Sequence, residues 1–243
     1  MSITFANKAV LVTGANRGIG HALVEEALRR GASRVYAATR QPFTHPDPRV
    51  TPLTLDVTNA EQIKAAAARL DALDVLINNA GIAGYDDLSD RAAIEQHLAV
   101  NLFGPYDVTQ AFLPLLVRSQ GAIVYNVSLM AFAPLPITAS YGISKAAAFN
   151  MSQSMRALLA GRGVSVHAVL TGPTDTDMTR GFEIPKATPE SVARAIFDAV
   201  ENGEEDIFPD ALSQIVADEW HNGAVKAMER QNAAFVPPQS AAA

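Results

Sequence analysis

Residues 9–31 constrain the fold most. Ala9-Val-Leu-Val12 is a short apolar, β-branched run that ends in Thr13-Gly14, the pattern of a strand buried on both faces. Gly14, Gly18 and Gly20 follow, and Ile19, Ala22, Leu23 and Ala27 then recur at helical spacing up to Gly31. Strand, glycine-rich turn and helix in that order bring free backbone amides and the positive end of a helix dipole to one point. That point suits a nucleotide phosphate. Gly14, Asn16, Arg17, Gly18, Ile19 and Gly20 are the candidate contacts.

The alternation continues along the chain. Arg34–Thr39 reads as a second strand, ending about 20 residues after the last glycine, where a carboxylate would select an unphosphorylated ribose. Thr39 and Arg40 stand there instead, and Arg40 can grip a 2′-phosphate bidentately, with Arg17 as a second positive charge. Residues 41–49 hold Pro42, Pro46 and Pro48 and form a loop. Val50–Val57 is the third strand, with Asp56 and Val57 at its end as candidate adenine contacts, and a capping box of Thr58 and Glu61 opens a helix to Leu70. Leu73–Ile77 is the fourth strand and leads into Asn78-Asn79-Ala80-Gly81, small and amide residues that let a flat ligand approach the backbone. A helix from about Ser89 to Arg118 carries Asn101 and is expected to kink near Gly104-Pro105. Ala122–Ser128 is the fifth strand, placing Ser128 at its carboxyl end, the edge where open parallel sheets bind ligands.

Tyr141 and Lys145 lie four residues apart on the long helix predicted from Tyr141 to Gly161, so they share a face. A phenol ordinarily holds its proton to about pH 10, and a cation beside it lowers that value. Bringing it near 7 takes about three units, roughly 4 kcal/mol, and would make Tyr141 a usable acid or base. Val164–Leu170 is the sixth strand, followed by Gly172, Thr174 and Thr176, whose polar groups suit a carboxamide. Thr188-Pro189 opens a further helix, and Asp206–Asp210 is a seventh, edge strand that tolerates Pro209. A helical extension of one or two helices, about 211–243, ends in a proline-bearing tail expected to fray. No linker or repeat interrupts the pattern, so residues 1–243 are read as a single doubly wound α/β domain.

Composition narrows the partners. Net charge is −6 and no basic run occurs, which argues against nucleic acid. The chain has no cysteine, and its five histidines show no ligand spacing, so no metal site is expected. No apolar stretch reaches 18 residues and no signal peptide is visible, so the expected location is cytoplasmic, without a membrane.

Taken together, these motifs resemble the classical short-chain dehydrogenase/reductase family, in its NADP-preferring type, over roughly residues 5–210. The family's TGxxxGxG turn matches Thr13–Gly20, its NNAG motif Asn78–Gly81, its active-site asparagine Asn101, and its YxxxK pair Tyr141 and Lys145. Ser128 precedes Tyr141 by thirteen residues, the usual separation. The resemblance implies a Rossmann-type sheet of about seven strands in the order 3-2-1-4-5-6-7. It implies hydride transfer between NADP(H) and a carbonyl or carbinol carbon, with Asn101, Ser128, Tyr141 and Lys145 catalytic. Tyr141 would exchange the proton with the substrate oxygen and Ser128 would hydrogen-bond that oxygen. Lys145 would lower the Tyr141 pKa and hold the nicotinamide ribose, and Asn101 would position a water supplying protons through Lys145. The family's assembly into dimers and tetramers makes a homodimer or homotetramer the expected state. Thr171 stands where the family usually has proline, which is expected to alter local backbone stiffness only.

The lid from Met178 to Ala187 is short, and the residues expected near it are apolar. Ser128, Met130, Leu135, Tyr141 and Phe182, with Leu129, Phe132, Ile137 and Ile184 as further candidates, point to a hydrophobic ketone, aldehyde or alcohol. Two rival readings remain at this stage. A 3-oxoacyl carrier-protein reductase would want a basic patch, for which the lid offers Arg180 and Lys186. A non-catalytic NADP-binding sensor would have no need of all four polar residues of the site.

Overall fold

The structure, a computed structural model, describes residues 3–236. Seven strands form one fully parallel sheet in the order β3-β2-β1-β4-β5-β6-β7. They are β1 (Ala9–Thr13), β2 (Arg34–Thr39), β3 (Val50–Thr54), β4 (Val75–Asn78), β5 (Ala122–Asn126), β6 (Ser165–Val169) and β7 (Asp206–Ile207). The helices are α1 (Gly18–Arg29), α2 (Ala60–Ala67), α3 (Arg91–Leu98), α4 (Gly104–Ser119), α5 (Ala139–Ala160), α6 (Pro189–Asn202), α7 (Ala211–His221) and α8 (Ala224–Asn232).

The period-2 geometry of a strand explains why the runs carry no polar face. Leu11, Leu76 and Ile123 point into one core with Ile63 of α2, Val108, Phe112 and Leu116 of α4, and Phe149 and Leu159 of α5. Their neighbours Val10, Val12, Val75, Ile77 and Val124 point into the other, against Leu23 and Ala27 of α1 and Val192, Ile196 and Phe197 of α6. The sheet is therefore covered on both faces. Strand order reverses between β1 and β4, and the crevice beyond their carboxyl ends is the switch point of the topology.

Several boundaries differ from the sequence reading. Strand β3 stops at Thr54, because Asp56 and Thr58 fold into a turn in which the carboxylate accepts from the Thr58 amide at 2.9 Å and its hydroxyl at 2.7 Å. Asn59, not Thr58, caps α2, accepting from the Gln62 amide at 3.0 Å, and the helix ends at Ala67. The helix expected over 89–118 is two helices joined by a π-helical turn, Ala99–Phe103. The expected kink falls just ahead of Gly104-Pro105, since Pro105 lacks the N–H that an unbroken helix would direct at the Asn101 carbonyl. Strand β7 ends at Ile207, so Pro209 lies beyond it. The proline-bearing tail, 237–243, lies outside the described residues.

The C-terminal helices are fastened by buried charge that composition did not foretell. Lys226 of α8 and Asp206 of β7 are both fully buried and 2.7 Å apart. Arg156 of α5 reaches Asp206 at 2.6 Å and Glu229 at 2.7 Å, and the Trp220 indole donates to Asp206 at 2.8 Å. Burial alone would raise the Asp206 carboxyl, but the charges of Arg156 and Lys226 reverse that and hold it low. Lys226→Ala would leave the surplus acid buried and is expected to lower stability by about 3 kcal/mol. For a chain of this size that is a fall in Tm of roughly 6–12 °C, read by thermal unfolding.

Candidate active site

The glycine turn adopts the geometry that its sequence requires. Gly14 has φ +68° and Gly18 φ +51°, left-handed values that disfavour a side chain. A Cβ on Gly20 would stand 2.0 Å from the Gly14 carbonyl oxygen, so the first turn of α1 closes only around glycine. Asn16 and Arg17 are exposed at the tip, with Ile19 half-buried behind them. The amides at the start of α1 and this bare backbone fit a pyrophosphate. Arg17, expected as a second positive charge beside Arg40, has its guanidinium 3.0 Å from Asp177, just ahead of the lid. Thr39 is buried and donates to the Gln41 carbonyl at 2.5 Å, while Arg40 is exposed at the carboxyl end of β2. Thr58 hydrogen bonds hold the Asp56 carboxyl low, with the Arg40 charge adding to them, so these two groups are neighbours. Val57 is buried in the core under this corner.

Across the strand ends runs a chain of side-chain hydrogen bonds. The Thr13 hydroxyl accepts from the Asn79 and Ala80 amides at 2.9 and 3.0 Å. The Asn79 amide nitrogen donates to the Thr13 carbonyl at 2.9 Å, and its Oδ1 accepts from Asn126 at 2.9 Å. Asn126 Oδ1 in turn accepts from the Thr171 hydroxyl at 2.7 Å. Sequence reasoning missed Asn126, although its place at the end of β5 was a usable signal. Thr171 does more than change backbone stiffness, because proline in its place has no hydroxyl to close this row.

Lys145 and Tyr141 sit above the row on the first turns of α5. Lys145 is buried and donates to the Asn126 carbonyl at 2.8 Å, and its Nζ lies 5.6 Å from the centroid of the Tyr141 ring. Burial lowers the Lys145 ammonium to a pKa of about 8. Burial raises the Tyr141 phenol, and a side-chain hydrogen bond with Ser128 draws it partly back. Against the expectation of a lowered phenol, burial holds Tyr141 above its ordinary value in this structure. The cation lies over the ring and is bound to a carbonyl, and desolvation of the phenolate dominates. Ser128 is buried at the end of the fifth strand's extension, where its oxygen also accepts from the Met130 amide at 3.2 Å.

Asn101 is buried in the π turn, and its side chain clamps the segment after β4. Its Oδ1 accepts from the Ile82 amide, and its Nδ2 donates to the Ile82 carbonyl and the Ser144 hydroxyl, all at 2.9 Å. A Cβ on Gly81 would lie 3.1 Å from Asn101 Oδ1 and 3.7 Å from Lys145 Nζ, so Gly81 keeps this corner open. The Gly172 amide, expected at the ligand, is bound to Asp210 at 2.7 Å, tying the end of β6 to the cap of α7. Thr174 and Thr176 direct their hydroxyls to the Gly172 and Thr174 carbonyls, at 3.3 and 3.4 Å.

The pocket candidates divide. Leu135, Ile137 and Ile184 are exposed at the rim, Met130 is half-buried, and Phe182 stacks on Tyr85, a residue that sequence reasoning passed over. Phe132 instead stacks on Trp220 at 4.5 Å and meets Phe149 edge-on at 5.0 Å, so it belongs to the core with Leu129. Among the described residues, no cluster of three His, Asp or Glu could hold a metal, and no helix is long and apolar enough to cross a membrane.

Asn126→Ala would leave the Thr171 hydroxyl and Asn79 Oδ1 without partners. The expected loss is about 2–3 kcal/mol, with a lower Tm by thermal unfolding, while Lys145 keeps its backbone acceptor.

Comparison with known proteins agrees with this geometry. The short chain dehydrogenase family matches residues 8–186. A short chain dehydrogenase of Burkholderia cenocepacia J2315, solved in complex with NADP, is 36% identical and superposes with a TM-score of 0.86 over 97% of this chain and 100% of that one. The 2-(S)-hydroxypropyl-CoM dehydrogenase 3 of Xanthobacter autotrophicus is 32% identical over 81% of this chain and 83% of its own length. Human 17-beta-hydroxysteroid dehydrogenase type 2 is 36% identical over 68% of this chain. The match spans only 47% of that human protein and 65% of a Monascus ruber relative, the short chain dehydrogenase pigC. The chain belongs to the short chain dehydrogenase family.

Proposed function

We propose that the chain is an NADP(H)-dependent oxidoreductase that interconverts a hydrophobic ketone or aldehyde and its alcohol, with Tyr141 as acid and base. The observation that carries this reading is the juxtaposition of three buried groups, Tyr141 beside Ser128 and Lys145 Nζ 5.6 Å from the Tyr141 ring centroid, at the rim that also bears the glycine turn. The cofactor, when bound, supplies or accepts the hydride. The chain supplies the rest. The turn from Gly14 to Gly20 would hold the pyrophosphate, and Arg40, with Arg17 once released from Asp177, would hold the 2′-phosphate. Asn79 to Gly81 offers close backbone approach. In reduction Tyr141 gives its proton to the substrate oxygen, while the Ser128 hydroxyl fixes that oxygen. Lys145 exchanges protons near neutrality, and the Asn101 carbonyl, which Pro105 cannot bond, holds the water that feeds it.

The structure solved with NADP supports the cofactor choice, and both dehydrogenase relatives are named for hydroxyl-bearing substrates. The carrier-protein reading loses support, because Arg180 is paired with Asp177 and Lys186 donates to the Thr179 carbonyl at 2.8 Å. Between Met178 and Ala187 they are the only two cations, and Glu183 stands with them, which makes no basic patch for an acidic partner. Exposed Phe103, Tyr106, Ile143 and Leu158 on α5, α4 and the π turn favour a homo-oligomer built through these helices.

Tyr141→Phe is expected to abolish turnover of every ketone in a panel while NADPH affinity stays near wild type; retained activity would falsify the assignment. Arg40→Ala is expected to raise the KM for NADPH about tenfold and leave that for NADH little changed, since one charge-assisted contact is lost. A preference for NADH in the wild type would overturn the cofactor reading. Because burial raises the Tyr141 phenol, its protonated form persists through neutral pH. Reduction is therefore favoured there, whereas oxidation, which needs the phenolate, is expected to climb with alkaline pH. Rate profiles in both directions check the sign.

A further inference from the structure

The segment after β4 and the lid after β6 meet above the site. Asp86 fixes the first of these: its amide donates to the Ile137 carbonyl at 3.1 Å, and its carboxylate accepts from the Ser140 amide at 3.1 Å and hydroxyl at 2.8 Å. Ser140 directly precedes Tyr141, so the backbone at Asp86, next to Tyr85, is tied to the turn of α5 that bears the phenol. The lid is pinned at its root, where Asp175 donates to the Ala187 carbonyl and Ala187 to the Pro173 carbonyl, each at 2.9 Å. Its far end brings Phe182 to Tyr85, with ring centroids 5.9 Å apart and planes 22° apart. Tyr85 is 72% exposed. An aromatic ring so placed belongs to an opening, not to a core.

We propose that Tyr85 and Phe182 form an aromatic clasp across the mouth of the cleft and are specificity-determining residues favouring flat, apolar carbonyl compounds over small acyclic ones. The proposal rests on the carbonyl–alcohol reading of the site. A stack of this kind shifts an equilibrium by about 2- to 12-fold, so it parts readily for entry and re-forms over the substrate. Leu135 and Ile137 ahead of α5 and Ile184 of the lid add exposed apolar surface. Arg180 is paired with Asp177 and Lys186 donates to the Thr179 carbonyl, so the stacked rings are the apolar recognition element that the lid offers.

The test compares kcat/KM for a bicyclic aromatic ketone, tetralone, with that for butanone, in wild type, Tyr85→Ala, Phe182→Ala, the double variant and Tyr85→Phe. The expected result is a fall of about 5-fold in the tetralone-to-butanone ratio for either alanine. The double variant should fall no further, because both singles break the same contact, and Tyr85→Phe should keep the ratio. Additive losses, or equal losses for both ketones, overturn the proposal. A readout free of turnover is trypsin cleavage after Arg180 and Lys186, expected to accelerate in both alanine variants but not in Tyr85→Phe. Equal cleavage of wild type and Tyr85→Ala overturns the clasp. If wild type reduces neither ketone while Tyr85 protects the lid, the proposed reaction and the substrate preference fall and the clasp stands.

Discussion

Where parallel strands end side by side, their last polar groups need partners that no further strand residue supplies. In this chain Thr13, Asn79, Asn126 and Thr171 satisfy one another in a row from β1 to β6, crossing the switch point of the sheet. The chemistry hangs from this row. A buried ammonium must find oxygen, and Lys145 finds the Asn126 carbonyl. The same helix turn then sets Tyr141 against Ser128, whose place is fixed by the strand that Asn126 ends.

The architecture was legible because apolar periodicity is a local property. Val10, Leu11 and Val12 divide between two cores as a strand buried on both faces must, and the glycine turn announces itself by spacing that only its backbone explains. The four polar residues proposed to act are marked out by motif spacing. What sequence could not show was anything depending on juxtaposition or desolvation. The partners of Asn126 lie 45 and 47 residues away in the chain, so no window contains them. The direction of the Tyr141 shift depends on how much water the fold removes, which a helical spacing does not encode. Phe132 looked like pocket lining because Trp220, its stacking partner, arrives from a distant helix. Lys226 and Asp206, fully buried, are paired across twenty residues, and no local pattern marks either for the interior.

The C-terminal helices are joined to the site as well as to the core. Asp210 caps α7 through the Leu212 and Ser213 amides and also receives the Gly172 amide at the root of the lid. Arg156, on the helix of Tyr141, holds β7 and α8 together through Asp206 and Glu229. Loosening the last helices therefore loosens the floor from which the lid rises.

Thr171 carries an implication for how such a chain can vary. Its hydroxyl and the Asn126 carboxamide form one hydrogen-bonded unit, so the two positions are not independent in sequence space. A proline at 171 removes the donor and leaves Asn126 Oδ1 to find another, or asks for a different residue at 126. Chains that drift between these alternatives must change both positions together, or pass through an intermediate whose strand ends are less firmly joined.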